Sequence, residues 1–336
     1  MIREDVCEAV RNSGLFARDD RMPARPILVM ISGGRDSTCL LDVAVALLGP
    51  ASLSALHVNY GLRAEADGDE SHCAALCERL GVRLEIVRAE PASIPRAAQD
   101  GNVHDATDAG RPAGNLQAWA RDLRYAEAER IAQEHDALIA TGHTASDQVE
   151  TILYRLAASP GRRALLGMVA SEGRLIRPLL SITREQTAAY CEARGLQWRE
   201  DKSNEDQRYA RARVRHELVP ALRAVHPAAQ SNVLRTATLL REETELLEQL
   251  VTAELDGQRS IALARLAELP AALARLVVIR LAEEAAETYV PQAGERVQEL
   301  LALARRGGPA ELHVGGLAGA VIRDGVLEMI KLPPRA

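Results

Sequence analysis

Ile27-Leu28-Val29-Met30-Ile31-Ser32-Gly33-Gly34-Arg35-Asp36-Ser37 is the stretch from which the rest of the chain can be read. The apolar run Ile27–Ile31 follows Pro26 and lacks the alternation of a half-wetted strand, so it reads as a strand buried on both faces of a parallel sheet. From Ser37 onward, Thr-Cys-Leu-Leu-Asp-Val-Ala-Val-Ala-Leu-Leu reads as a helix that stops at Gly49-Pro50. Between the two, a pair of glycines lets the backbone approach a bound anion closely. The helix start supplies unpaired N–H groups and the positive end of the dipole, and Ser32 and Ser37 add hydroxyls. Asp36 alone would repel phosphate; its carboxylate makes sense when Mg²⁺, which prefers hard oxygens, sits between the two. The Gly-Lys-Ser/Thr element of a Walker A loop is absent. A bare Gly-Gly pair is an ordinary turn, whereas the whole string behind a buried strand favours a phosphate site. Ser32, Gly33, Gly34, Arg35, Asp36 and Ser37 are therefore expected to bind ATP, with Asp36 as the metal ligand.

Working outward, strands are expected at Leu53–Val58, Val82–Arg88 and Ala137–Thr141, and helices at Asp69–Leu80, Leu116–Glu134 and Ala145–Ala157. Strands that alternate with helices predict an α/β fold with a doubly wound parallel sheet. Ligands of such sheets bind at the carboxyl ends of the strands, where the most polar loops fall, after the first, second and fourth strands. Residues 96–115, rich in Gly, Asp and Ala, read as a mobile loop or lid. Helices follow at Arg184–Gly195 and Arg208–Val225. Beyond Pro227 the character changes to long Leu/Ala/Glu/Arg helices broken at Pro270 and Pro291. The tail alternates short β-like runs with glycines, and Asp324-Gly325 predicts a hairpin. The expected organisation is an α/β domain carrying the phosphate loop over 1–225 and a smaller, mainly helical domain with terminal β strands over 226–336.

Composition narrows the classes. At 47% hydrophobic residues over 336 positions the chain has ample material for a core. Aromatics at 3% argue against an extensive base-stacking platform and leave room for one or two local stacks. No apolar stretch is long enough for a membrane span, and Arg3, Glu4 and Asp5 stand where a signal peptide needs apolar residues. Five scattered cysteines without a Cys-x-x-Cys pair argue against a disulfide framework, a zinc ribbon or an iron–sulfur cluster, and fit a reduced, cytoplasmic protein. The net charge of −6 disfavours nucleic acid, yet residues 151–225 carry fourteen Arg/Lys against eight Asp/Glu, a local excess of 14 − 8 = +6.

The phosphate string resembles that of the N-type ATP pyrophosphatases, which cleave ATP between the α and β phosphates. Further strings narrow the resemblance: His57-Val-Asn-Tyr-Gly-Leu-Arg63, Asn115-Leu-Gln-Ala-Trp119-Ala-Arg121-Asp-Leu-Arg124-Tyr125, Thr141-Gly142-His143-Thr-Ala-Ser-Asp147-Gln-Val-Glu150-Thr151, Arg177-Pro-Leu-Leu180, Asp201-Lys-Ser-Asn-Glu-Asp206 and Tyr209-Ala-Arg211-Ala-Arg213-Val-Arg215. In this order they resemble the tRNA(Ile)-lysidine synthetase family, closely over about residues 25–225 and more loosely beyond, which implies an adenylation domain over 1–225 and a tRNA-binding domain over 226–336. The resemblance implies ATP-dependent adenylation of the C2 oxygen of a wobble cytidine in the tRNA(Ile) with a CAU anticodon, then attack by free L-lysine, with Mg²⁺ required. It also admits a homodimer. The chain departs from the family pattern at Tyr60 (usually His), Ser146 (usually Asp) and Ala212 (usually Asn).

Roles follow for individual residues. Asp147 and Glu150, three apart on one helix face, can orient the lysine amine and accept its proton. His143 at the helix start can contact phosphate or base, and Gly142 and His57 are assigned to ATP. Arg121 and Arg124 share a face, the first suited to the α-phosphate charge and the second to tRNA. Arg211, Arg213 and Arg215 are assigned to the tRNA backbone. The catalytic set is thus Asp36, Arg121, His143, Asp147 and Glu150. His57 can equally be a satisfied core histidine. Competing readings are a tRNA thiolase on the same loop, a small-molecule adenylating amidotransferase and a non-catalytic tRNA-binding relic.

Overall fold

In the computed structural model the residues described are 2–16, 25–62, 65–90, 116–159, 161–199, 210–306 and 308–333. The expected lid, 96–115, and the Asp201–Asp206 string lie outside them.

Helix α1 (Ile2–Asn12) leads into strand β1 (Ile27–Met30), helix α2 (Arg35–Leu48), β2 (Leu53–Asn59), α3 (Ala66–Leu80), β3 (Arg83–Arg88), α4 (Leu116–Glu134), β4 (Leu138–Ala140) and α5 (Ala145–Ala158). Two short strands, β5 (Ser171–Glu172) and β6 (Leu175–Ile176), complete a sheet in the order β3-β2-β1-β4-β6-β5. All neighbours run parallel except β5 against β6. Every residue of β1 is buried, as an apolar run without alternation requires of a central parallel strand. One face of the sheet packs Val29, Ala55 and Ala140 against Leu40, Leu41 and Val43 of α2 and against Val6 and Val10 of α1. The other packs Leu28, Leu56 and Ile139 against Ala128, Ile131 and Ala132 of α4. Helices on both faces are what the alternation of strands and helices demands.

After the one-turn α6 (Arg162–Leu165), helix α7 (Arg184–Ala193) packs on α2 through a buried polar knot. The Tyr190 hydroxyl donates to Asp42 Oδ2 (2.6 Å) and Arg194 donates to both Asp42 oxygens (2.9 and 3.1 Å). The chain continues through α8 (Ala210–Arg213), a π-helical turn at Val214–Leu218, α9 (Val219–Val225) and the long α10 (Ala229–Leu255).

The chain forms two compact units, residues 1–237 and 238–336, so the division falls inside α10. Sequence character instead changes near residue 226, where that helix is about to begin. In the second unit, α11 (Leu263–Glu268), α12 (Ala271–Ala286) and α13 (Val297–Arg306) share a core with a four-stranded sheet ordered β7-β10-β9-β8: Ser260–Ala262, Val326–Lys331, Ala318–Arg323 and Ala310–Gly315. The expected hairpin is present as β9–β10, with Asp324 and Gly325 both at positive φ (49° and 76°), the geometry a two-residue hairpin turn needs. Two further strands extend it, one of them contributed from between helices.

Candidate active site

The loop after β1 wraps back on itself. Gly33 sits at φ +79°, open to glycine at little cost. The Ser37 hydroxyl donates to the Gly34 carbonyl (2.9 Å) and accepts from the Ser32 amide (3.2 Å), which ties the two ends of the string together. Gly34 is the N-cap of α2 and offers no side-chain cap. The first amides of α2 are therefore left for an external acceptor, with the positive end of the dipole behind them. Gly142, after β4, closes against this turn: a Cβ there would lie 3.1 Å from Asp36 C and Ser37 N. The first and fourth strands thus deliver their loops to one place, and a side chain at Gly142 would press on the phosphate-loop backbone.

Asp36 points from the first turn of α2 toward α7. Its Oδ1 accepts from Thr187 Oγ1 and from Arg35 Nε (3.1 Å), while among the described residues Oδ2 has only Arg184 Nε, at 3.7 Å. One carboxylate oxygen therefore remains for a hard cation. Among the described residues no three acidic, His or Cys side chains converge closely enough to cage a metal unaided. That suits Mg²⁺, which is commonly held by one or two carboxylates together with substrate phosphates and water.

Helix α5 brings up the acidic pair. Thr144 caps it in a reciprocal box with Asp147, whose Oδ2 accepts from the Thr144 amide and hydroxyl (2.9 and 2.7 Å). Asp147 Oδ1 faces Arg184 Nη2 at 3.0 Å. Burial alone would raise this carboxyl's pKa; the Arg184 charge and the Thr144 hydrogen bonds outweigh it and hold the pKa below the ordinary value. Glu150, 5% exposed at its side chain, takes a two-pronged contact from Arg215 (Nε to Oε1 2.7 Å, Nη2 to Oε2 2.9 Å) and a third from Arg184 Nη1 (3.3 Å). The two carboxylates do share a face, and two arginines neutralise them.

His143 donates or accepts at Nδ1 with Thr141 Oγ1 (2.8 Å). Burial, reinforced by the charges of Arg177, Arg121 and Arg211 and opposed by Asp147, drives its pKa down to about 4, so the ring is neutral at physiological pH. Those shared electrostatics also place Arg121 and Arg211 in the surroundings of this ring. The Arg121 and Arg124 guanidiniums lie over the Tyr125 ring, 4.7 and 5.7 Å from its centre, and Tyr60 meets Trp119 edge-on with centroids 6.0 Å apart. His57 is buried with Nδ1 3.1 Å from the Ile31 carbonyl, so its visible work is to brace the strand that ends in the phosphate loop.

The structure thus gathers Asp36, Gly142, His143, Asp147 and Glu150 with the Ser32–Ser37 loop at one end of the sheet. Arg211 and Arg215 turn inward, Arg211 donating to Thr151 Oγ1 (2.6 Å) and Arg215 to Glu150, while Arg213 lines a separate, more apolar depression with Tyr154 and Leu218. Arg184 and Thr187, which carry no expected role, stand at the centre of the site. The signal in the sequence is slight: a basic residue in the first turn of a helix, where the dipole disfavours it.

Comparisons with known proteins fall on this region. The PP-loop domain family (ATP_bind_3) matches residues 8–222. A tRNA(Ile)-lysidine synthase of Pseudomonas fluorescens is 38% identical over 68% of this chain and 48% of its own length. One of an Azoarcus species is 37% identical over 92% of this chain and 67% of its own. The chain spans about half the length of the first of these relatives. Among solved structures, a U34-tRNA thiolase of Methanococcus maripaludis with its [4Fe-4S] cluster superposes with a TM-score of 0.54 at 16% identity, over 71% of this chain and 80% of its own. That likeness speaks to the fold alone.

Proposed function

The chain belongs to the tRNA(Ile)-lysidine synthase family of PP-loop proteins, and on that premise we propose that it adenylates C2 of the wobble cytidine of tRNA(Ile) and joins free L-lysine to that carbon. The observation that carries the reading is the meeting, at one end of the sheet, of an uncapped helix N-terminus, Asp36 and the Asp147–Glu150 pair. The first two suit the polyphosphate of ATP and the third suits an amine.

The chemistry follows from that division. The C2 oxygen of cytosine is a poor leaving group as hydroxide and a good one as AMP, so the base must be activated first. The amides of the Ser32–Ser37 loop hold phosphate oxygens, and the neighbouring arginines offset charge that grows at the α-phosphate. Asp36 is the residue that would hold Mg²⁺ together with substrate phosphate, and the cation would supply charge neutralisation there. Neutral His143 positions an oxygen at the reacting centre without adding charge there. A lysine amine with an ordinary pKa of about 10.4 is mostly ammonium at neutral pH. In this reading Asp147 and Glu150 bind that ammonium and take its proton as C2 is attacked and AMP departs. A cavity of about 390 Å³ lined by Ser146, Glu150, Arg184, Arg215, Arg223 and Gln230 opens beside the pair and offers room for an amino acid.

Five buried free cysteines, Cys7, Cys39, Cys73, Cys77 and Cys191, do not suit the thiolase reading; burial raises the Cys73 and Cys77 thiols to about 12, far from the reactive thiolate. Exchange of labelled pyrophosphate into ATP tests the order of events. Exchange that appears only with a CAU-anticodon tRNA(Ile) transcript is the expected result. Exchange driven by a small carboxylic acid in the absence of tRNA would transfer the reading to small-molecule adenylation.

A further inference from the structure

We propose that Arg184 is a positioning residue that fills the cation place between the nucleotide-side carboxylate Asp36 and the acceptor-side pair Asp147 and Glu150, and yields it to the divalent cation that arrives with nucleotide. The three nitrogens of its guanidinium each face a different carboxylate: Nε to Asp36 Oδ2 at 3.7 Å, Nη2 to Asp147 Oδ1 at 3.0 Å and Nη1 to Glu150 Oε1 at 3.3 Å. The three acidic side chains are only 20%, 17% and 5% exposed, so water screens their mutual repulsion weakly. One planar fork is the group best suited to satisfy three such acceptors at once.

The helix does not choose this residue. A cation in the first turn of α7 opposes the dipole, and the compensation must come from the carboxylates. The backbone around it is pinned on both sides. Its amide donates to Ser146 Oγ (3.1 Å), its carbonyl lies 2.9 Å from Thr187 Oγ1, and Thr183 and Gln186 form a capping box around the helix start. The Thr187 hydroxyl also bonds Asp36 Oδ1, which couples the start of α7 directly to the phosphate loop. Ser146, where the family pattern has a carboxylate, accepts the Arg184 amide through its hydroxyl and adds no charge.

Two consequences follow. Without nucleotide, the carboxylates are spaced by the width of a guanidinium and are already neutralised in part, so they have little call on a metal. With nucleotide, Asp36 Oδ2 turns to the cation, Arg184 loses one of its three partners, and the geometry of Asp147 and Glu150 senses that the ATP site is filled. The proposal rests on the reading of Asp36 as the carboxylate that meets the nucleotide's metal, and needs neither lysine nor tRNA.

The test is Mn²⁺ binding to the purified protein without nucleotide, followed by the electron paramagnetic resonance of free Mn²⁺. The wild type is expected to bind weakly, whereas Arg184→Met and Arg184→Gln each expose the carboxylates and bind at least about tenfold more tightly, ~1.4 kcal/mol. Arg184→Lys should stay near the wild type, and adding Asp36→Asn to either neutral variant should abolish the gain. A tight Mn²⁺ site in the nucleotide-free wild type would overturn the proposal, and so would a gain that survives Asp36→Asn or neutral variants that bind no better than the wild type. Because no tRNA, lysine or turnover enters the measurement, its failure leaves the lysidine reading standing, and the failure of that reading leaves this result intact.

Discussion

Removing Arg215 separates its internal role from a role in holding tRNA. The guanidinium bridges both oxygens of Glu150, a carboxylate 5% exposed, at 2.7 and 2.9 Å, while its own side chain is 27% exposed. Loss of one partner from a buried pair costs about 3–5 kcal/mol when nothing replaces it. Here Arg184 remains 3.3 Å from Glu150 Oε1, and the partial exposure of Arg215 lets water enter, so about 2 kcal/mol is the expected loss for Arg215→Met. For a unit of this size that corresponds to a melting temperature lower by about 4–8 °C. Glu150→Gln removes the uncompensated charge, so the double variant should be less destabilised than the sum of the singles by about 1–2 kcal/mol. Calorimetric unfolding of the four proteins closes the cycle, and filter binding of tRNA across a salt series reports the other role. Arg215→Met should leave the salt slope nearly unchanged, since an arginine engaged with Glu150 neutralises no phosphate. A slope lowered by about one unit with no change in melting temperature would refute the internal assignment.

Three further expectations are cheaper to check. His143 is held near pKa 4, below its ordinary 6.5, so the stability that comes from its neutral form is complete above about pH 6.5 and lost as the pH falls toward 4; His143→Gln should flatten the dependence of unfolding free energy on pH in that window, read by urea titration. Gly142→Ala drives a methyl group to 3.1 Å from the Asp36 and Ser37 backbone; isothermal titration should show ATP binding at least about tenfold weaker, with stability reduced by about 1–3 kcal/mol. Tyr190→Phe deprives buried Asp42 of a donor at 2.6 Å while Arg194 stays in place; it should cost about 1.5–3 kcal/mol by denaturant unfolding and leave ATP affinity unchanged.

The phosphate site is legible in the sequence because its determinants are local. Strand, paired glycines, hydroxyls and helix start occupy eleven consecutive positions, Ile27–Ser37, and each fixes the backbone or the charge of its immediate neighbours. The sheet is legible for the same reason, since apolar runs such as the buried Ile27–Met30 and the largely buried Leu138–Ala140 announce themselves by composition. What sequence leaves unread is governed by contacts between distant residues. Arg211, Arg213 and Arg215 look alike as a basic cluster, and only the position of α5 makes Glu150 and Thr151 the partners of two of them. Arg184 shows nothing locally except an unfavourable place in a helix; its meaning comes from carboxylates on α2 and α5. Strand β7, three residues long between two helices, is defined by its pairing with β10 more than by its own composition. The change of composition near residue 226 likewise marks where helices take over, whereas the packing of the core sets the division within α10.

The central claim is tested most directly by incorporation of radiolabelled L-lysine into unfractionated tRNA with ATP and Mg²⁺ present. The account predicts incorporation that needs ATP, is lost in Asp36→Asn, and disappears when the wobble cytidine of a CAU-anticodon tRNA(Ile) transcript is replaced. ATP split to AMP and pyrophosphate with no lysine entering any tRNA would contradict it, leaving the phosphate loop as described and the acceptor to be sought elsewhere.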